Sequence, residues 1–255
     1  MTTNAALIFK AVLFLAVLPL LLACLTLAAG SRPAAAQTAP AGGGAREVLS
    51  VGWQAGYCAA RPKSRGCADF SVDAPAARQF SLLSRFQLRK SYCGVEAGLK
   101  QQARKGKWTE LPDIVLASGT KARLMAAMPA ARLGLDRQQW LRSGSCVAAS
   151  PEVYYSRSLD LLDALNASPV RALFTQKAGA AITLAEVRAA FNAAFGAGAG
   201  ERVRLTCRKT DGGPVVTGLT IGLAGDAPTL ADRIAAASPT KSRCTEGVTG
   251  AGQAG

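Results

Sequence analysis

The chain predicts an α+β domain: a central antiparallel sheet flanked by helices and stapled by disulfides. Three observations carry this expectation. Short stretches of strand pattern are dispersed among helical stretches, without the regular βαβ alternation of a doubly wound fold. Helix punctuation is strong in the second half, at Ser150-Pro151-Glu152 and at the capping box Thr183-Leu184-Ala185-Glu186. Six cysteines, an even number, lie outside the N-terminal apolar segment: Cys58, Cys67, Cys93, Cys146, Cys207 and Cys244.

In chain order, residues 48–53 alternate apolar and small side chains, as a half-buried strand does. Cys58 and Cys67 bracket a short loop with Pro62 and Gly66, and Phe80-Ser81-Leu82-Leu83 is a second short strand. Residues 95–104 read as a helix, with Leu99 and Ala103 four apart. Ser118 is placed to cap a helix that runs to Met128 and is stopped by Pro129. Residues 135–143 form a short helix. Ser150 caps the next one, with Pro151 at its first position and Tyr154, Leu161 and Leu165 as its apolar stripe. Pro169 opens a further helix through Phe174. The capping box at Thr183 opens one that ends at Gly196, with Leu184, Val187, Phe191 and Phe195 on its buried face. Residues 202–207 and 215–223 pair as strands around Asp211-Gly212-Gly213. No Gly-rich phosphate loop is present, because the glycine run at 196–200 follows a helix rather than a strand.

Residues 1–36 read as an export signal. Lys10 precedes an apolar, uncharged run at 11–29, and Ala34-Ala35-Ala36 offers a small-residue cleavage site. Two alternatives stay open: an uncleaved membrane anchor at 11–29, and a lipoprotein box at Leu21-Leu22-Ala23-Cys24, against which the apolar residues just after Cys24 argue. Residues 37–46 are a Pro/Gly/Ala-rich linker, 47–245 one domain, and 246–255 a Gly-rich flexible tail. The localisation expected is periplasmic or extracellular, and membrane contact runs only through an uncleaved leader.

The chain carries a net charge of +14. Two of its 30 basic residues, Lys10 and Arg32, and none of its 16 acidic residues lie in 1–36, which leaves +12 after cleavage. That excess favours anionic partners such as RNA or another polyanion, although a solvated basic surface accounts for it equally well. An even cysteine count in an exported domain reads as a disulfide framework, and spacing alone does not choose among the pairings. No metal or cofactor is expected, since no Cys-x-x-Cys is present and the chain has no histidine.

That missing histidine gains meaning from two segments. Gln138-Gln139-Trp140-Leu141-Arg142-Ser143-Gly144-Ser145-Cys146 resembles the second active-site segment of the ribonuclease T2 family, His-Glu-Trp-x-Lys-His-Gly-Thr-Cys. Phe80-Ser81-Leu82-Leu83-Ser84-Arg85-Phe86-Gln87 resembles the first, Phe-Thr-Leu-His-Gly-Leu-Trp-Pro. The order of Trp53-Gln54, Tyr57-Cys58, Tyr92-Cys93-Gly94, the 150–155 helix start and the late cysteines also fits. The resemblance implies a T2-like fold, endoribonuclease ancestry through a 2′,3′-cyclic phosphate, and the pairs Cys58–Cys67, Cys93–Cys146 and Cys207–Cys244.

It also implies that every proton-moving position is changed. Leu83 stands where the family acid would be, Ser143 where the base would be, and Gln138 where a histidine contacts phosphate. Gln139 replaces a glutamate and Arg142 a lysine, which together stabilise the charged phosphorane. Cleavage by 2′-hydroxyl attack needs one group to take a proton and one to return it near the working pH, and none of these replacements can do either. Arg142 alone keeps its charge and can still hold phosphate.

The expected function is therefore an exported T2-like protein without catalysis that retains weak RNA binding. Phosphates would meet Arg85, Arg89, Lys90 and Arg142, and bases would stack on Phe86, Trp53 or Tyr57. Two alternatives belong to other classes. One is an active endoribonuclease rerouted through other groups, such as Asp136. The other is a periplasmic adaptor that engages a protein through the old cleft.

Overall fold

The computed structural model describes residues 46–250 except Asp69 and Val72. The segment read as an export signal, nearly all of the expected linker and the last five residues of the expected tail lie outside the described residues. Six strands form one sheet: β1 (Glu47–Trp53), β2 (Phe80–Gln87), β3 (Ala181–Thr183), β4 (Val203–Thr210), β5 (Gly213–Leu223) and β6 (Glu246–Val248). Around it lie α1 (Gln54–Ala60), α2 (Ala97–Arg104), α3 (Ser118–Ala127), α4 (Leu135–Arg142), α5 (Pro151–Asn166), α6 (Pro169–Gln176), α7 (Leu184–Phe195) and α8 (Leu230–Ala235). This is an α+β fold, and the three disulfides are those the resemblance implies.

β1 pairs antiparallel with β2 on one side and β5 on the other, and β4 forms a hairpin with β5. β6 and β3 extend the sheet, with one parallel pairing, Val215 with Val248. Leu49, Val51 and Trp53 alternate inward along β1, as a strand with one buried face requires. They meet Tyr154, Tyr155, Leu162 and Leu165 of α5 in one core that also takes Phe174, Val187 and Phe191.

β2 is an edge strand, and α5 supplies the partners its outer side lacks. The Tyr154 hydroxyl accepts from the Arg85 backbone N–H at 2.9 Å and donates to the Arg85 carbonyl at 2.8 Å. Asn166 does the same for Phe80, accepting at 2.8 Å and donating at 3.0 Å. A side-chain clamp thus replaces a missing strand, which both satisfies buried backbone and blunts the edge against further pairing. Burial pushes the Tyr154 pKa up to about 12, so its proton stays available for the clamp.

Several elements differ from the sequence reading. β2 runs four residues beyond Leu83, and the helix expected from residue 95 begins at Ala97. Ser118 is the first residue of α3 rather than its cap. Glu152 of α5 caps that helix from outside, accepting from the Ala117 N–H at 2.9 Å and from Thr120 Oγ1 at 2.6 Å. The helix α8 and the short strands β3 and β6 were not legible. The tail expected from residue 246 is in part domain: β6 is a strand, and buried Thr249 bonds the Lys177 carbonyl and, through its N–H, the Ala180 carbonyl.

Candidate nucleic-acid interface

The two segments that resemble active-site sequences meet. β2 carries the first and α4 the second, and the Cys93–Cys146 disulfide ties the turn after β2 to the turn after α4. A backbone bond from the Tyr92 N–H to the Arg142 carbonyl, 2.9 Å, adds a second tie. Gly144 is needed where it stands, since a Cβ there would lie 2.5 Å from the Trp140 ring. Trp140 in turn packs toward Tyr154, which anchors α4 on α5.

Between β2 and α4 is a cleft of about 470 Å³, lined by Ser84, Phe86, Gln87, Arg89, Lys90, Ser91, Gln139, Arg142 and Ser143. Three exposed cations face it and no carboxylate lines it. Ser143 donates to Gln139 Oε1 at 3.3 Å, and Gln139 Nε2 donates to Gln138 Oε1 at 2.8 Å, so hydroxyl and amides form one chain of neutral hydrogen bonds. Ser143 and Gln138 are only 5% and 4% exposed. Gln138 lines a neighbouring cavity of about 350 Å³ with Tyr92, Arg104 and Trp108, and Arg142 borders both.

The residue at the expected acid position departs from this grouping. The β1–β2 register slips between Ser50 and Val51, so that Ser50 faces Ser84, Val51 faces Leu82 and Leu83 has no partner. Leu83 is the extra residue of a β-bulge, a device that re-aims side chains and recurs beside active sites. It is 38% exposed, and it does not line the cleft; Ser84 does.

Two of the expected RNA contacts are corrected. Trp53 is 1% exposed, packed with its ring centroid 5.2 Å from Phe80 and 5.1 Å from Phe174, and has no face to offer a base. Arg85 points to the other side of β2 from Ser84 and Phe86, where it is 4% exposed and bonded to Glu47 at 2.6 Å. The reason is strand alternation, which sends the neighbours of a cleft-facing residue into the interior. Phe86, Arg89, Lys90 and Arg142 remain at the cleft. Ser84, Gln87 and Ser91 join them there; alternation with Phe86 accounts for Ser84, while Gln87 ends β2 and Ser91 lies in the turn beyond it.

The chain turns sharply after β2. Arg89 and Tyr92 hold φ of +63° and +56°, the non-glycine residues with positive φ among those described. Side chains seldom adopt this region, and where they do the surroundings fix them. Here the fixing groups are the disulfide, the Tyr92–Arg142 bond, and the cations of Lys100 and Arg104 over the Tyr92 ring at 5.8 and 5.4 Å. Held this way, the turn presents Arg89 and Lys90 to the cleft.

Comparison with solved structures places similar chain courses among ribonucleases. The chain is similar to RNase NT in complex with 5′-AMP, at 15% identity and a TM-score of 0.48, over 82% of this chain and 98% of that one. It is similar to a mutant of RNase MC1 in complex with 5′-GMP, at 10% identity and a TM-score of 0.47, over 81% and 100%. A third likeness is to Actibind, described as a T2 ribonuclease, at 11% identity and a TM-score of 0.47, over 84% and 90%. No protein-family model matches the chain, and no curated protein matches it.

Chemically, the cleft can hold phosphates and stack one ring, and its lining among the described residues contains neither histidine nor carboxylate. Asp136, the candidate for a rerouted reaction, does not line it. Its carboxyl sits in the first turn of α4, where burial pushes its pKa up while the Arg137 backbone N–H and charge pull it down. Among the described residues no helix is long and apolar enough to cross a membrane, and no group of three metal-ligating side chains occurs.

Proposed function

We propose that the chain is an exported, non-catalytic protein of the ribonuclease T2 kind that binds single-stranded RNA in the cleft between β2 and α4. The observation that carries this reading is the composition of that cleft. Arg89, Lys90 and Arg142 converge on it with Phe86, no carboxylate opposes them, and the positions of the family's acid and base hold groups that cannot exchange a proton near neutral pH. The cysteine pairing supports it, since three disulfides join the six cysteines in the pattern the resemblance implies. They also support an oxidising compartment, and so export.

RNA binding is tested by fluorescence anisotropy of a labelled single strand with the full chain. Each phosphate neutralised on a single strand contributes a slope of about −0.7 in log affinity against log salt, so three cations predict a slope near −2. Arg89→Glu combined with Arg142→Glu is expected to weaken binding at least about tenfold and to flatten that slope. Unchanged affinity would place the binding face elsewhere. Equal binding of heparin and RNA, both insensitive to Phe86→Ala, would mean a merely cationic surface and no RNA site.

A further inference from the structure

On the opposite side of β2 from the cleft lies another cavity, of about 460 Å³, bordered by β1, β2, α5, α8 and the loop after β5. Its floor is unusual for a protein interior. Arg85 enters it from the buried face of β2, with its guanidinium 5.3 Å from the centre of the Tyr154 ring and its Nε bonded to Ser158 at 3.1 Å. Arg233 of α8 enters from the other side and is 2% exposed. One oxygen of Glu47 accepts from both, at 2.6 Å and 3.0 Å. Arg157 of α5 is a third guanidinium in the same cavity, held by the carbonyls of Asp226 and Ala227.

Arg85 and Arg233 thus share one carboxylate, while Arg157 is held by backbone carbonyls. The other acidic groups of the lining have other partners or stand in solvent. Glu152 is engaged by Thr120 and the Ala117 N–H, Asp160 by Arg123, and Asp226 is exposed. The Nε of Arg233 is buried and has no hydrogen-bond partner among the described residues. Buried charge-bearing donors are costly unless paired, so an arginine that lines a cavity and keeps an N–H idle has capacity left for an acceptor. Burial pushes the Arg233 pKa down, and the charges of Arg85 and Arg157 add to that push while Glu47 opposes it.

We infer that this cavity binds an oxyanion, a phosphate or carboxylate group of a small molecule, on Arg233 and Arg85 with Arg157 beside them. Guanidinium forks suit such oxygens, often two at a time. A cavity of about 460 Å³ takes a small molecule, which sets this ligand apart from the RNA of the cleft.

Thermal unfolding of the full chain tests the site. Inorganic phosphate and, separately, succinate are compared with sodium chloride at equal ionic strength. At least one of the two is expected to raise the midpoint saturably, and which one does so separates phosphate from carboxylate ligands. Arg157→Gln should keep the fold and weaken the effective anion about tenfold. Glu47→Gln should lower the midpoint in chloride and recover more than the parent chain when the anion is added. Arg89→Glu with Arg142→Glu should leave the effect intact, so that it stands or falls apart from RNA binding. If neither anion acts beyond chloride, or Arg157→Gln responds as the parent does, the arginines serve packing alone and the inference is overturned.

Discussion

Trp53→Ala is expected to cost about 3–5 kcal/mol of stability, the range for truncating a fully buried large aromatic. The ring is central to a three-way cluster in which Phe80 and Phe174 also lie 4.8 Å apart, in an edge-to-face arrangement. Removing it opens a cavity where β1, β2 and α6 meet. Trp53→Phe is expected to cost much less. It keeps most of the apolar volume and removes a buried indole N–H that has no partner among the described residues. Urea unfolding at equilibrium reads both changes. RNA affinity of the folded Trp53→Phe protein should match the parent, because Trp53 does not reach the cleft. A selective loss of RNA binding with unchanged stability would restore Trp53 as a base-stacking residue.

Removing the Cys93–Cys146 bridge, as Cys93→Ser with Cys146→Ser, is expected to cost about 2–5 kcal/mol and to weaken RNA binding together with stability. The bridge closes a separation of 53 residues, against 9 for Cys58–Cys67. Loop-closure entropy makes the longer loop worth roughly 1.5 kcal/mol more. The functional consequence comes from position. The bridge and the Tyr92–Arg142 bond hold Arg89 and Lys90 across from Arg142, whereas Cys58–Cys67 lies outside the cleft. Parallel thermal melts and RNA titrations of the two double variants check this. A larger stability loss from Cys58→Ser with Cys67→Ser, or equal RNA affinity in both, would contradict it.

Much of the architecture was legible because local chemistry marked it. Ser150, ahead of Pro151, caps its helix by accepting from the Val153 N–H, Thr183 and Glu186 form the capping box, and the hairpin around Asp211-Gly212-Gly213 forms where turn residues separate two apolar runs. What was not legible depends on distant partners. α3 is capped by Glu152, more than thirty residues away in sequence, and β6 is a strand only because β3 and β5 lie beside it. At the site, sequence order brought out the two segments and their order in the chain. It missed which side of β2 each residue occupies, because the bulge at Leu83 shifts the alternation by one position. That single residue sets Ser84 and Phe86 toward the cleft and Arg85 into the interior. It turns an expected phosphate contact into part of a buried arginine pair.

The central claim, a ribonuclease-like cleft that binds RNA without cutting it, is tested most directly by single-turnover incubation. The full chain, in excess and at low salt, is held with a 5′-labelled single strand between about pH 4 and 8. Each missing acid or base removes about 10²–10⁴-fold. The account therefore predicts that the strand is bound and recovered intact, at the rate of buffer alone. A 2′,3′-cyclic phosphate product that co-elutes with the protein and disappears in Arg142→Ala would contradict it.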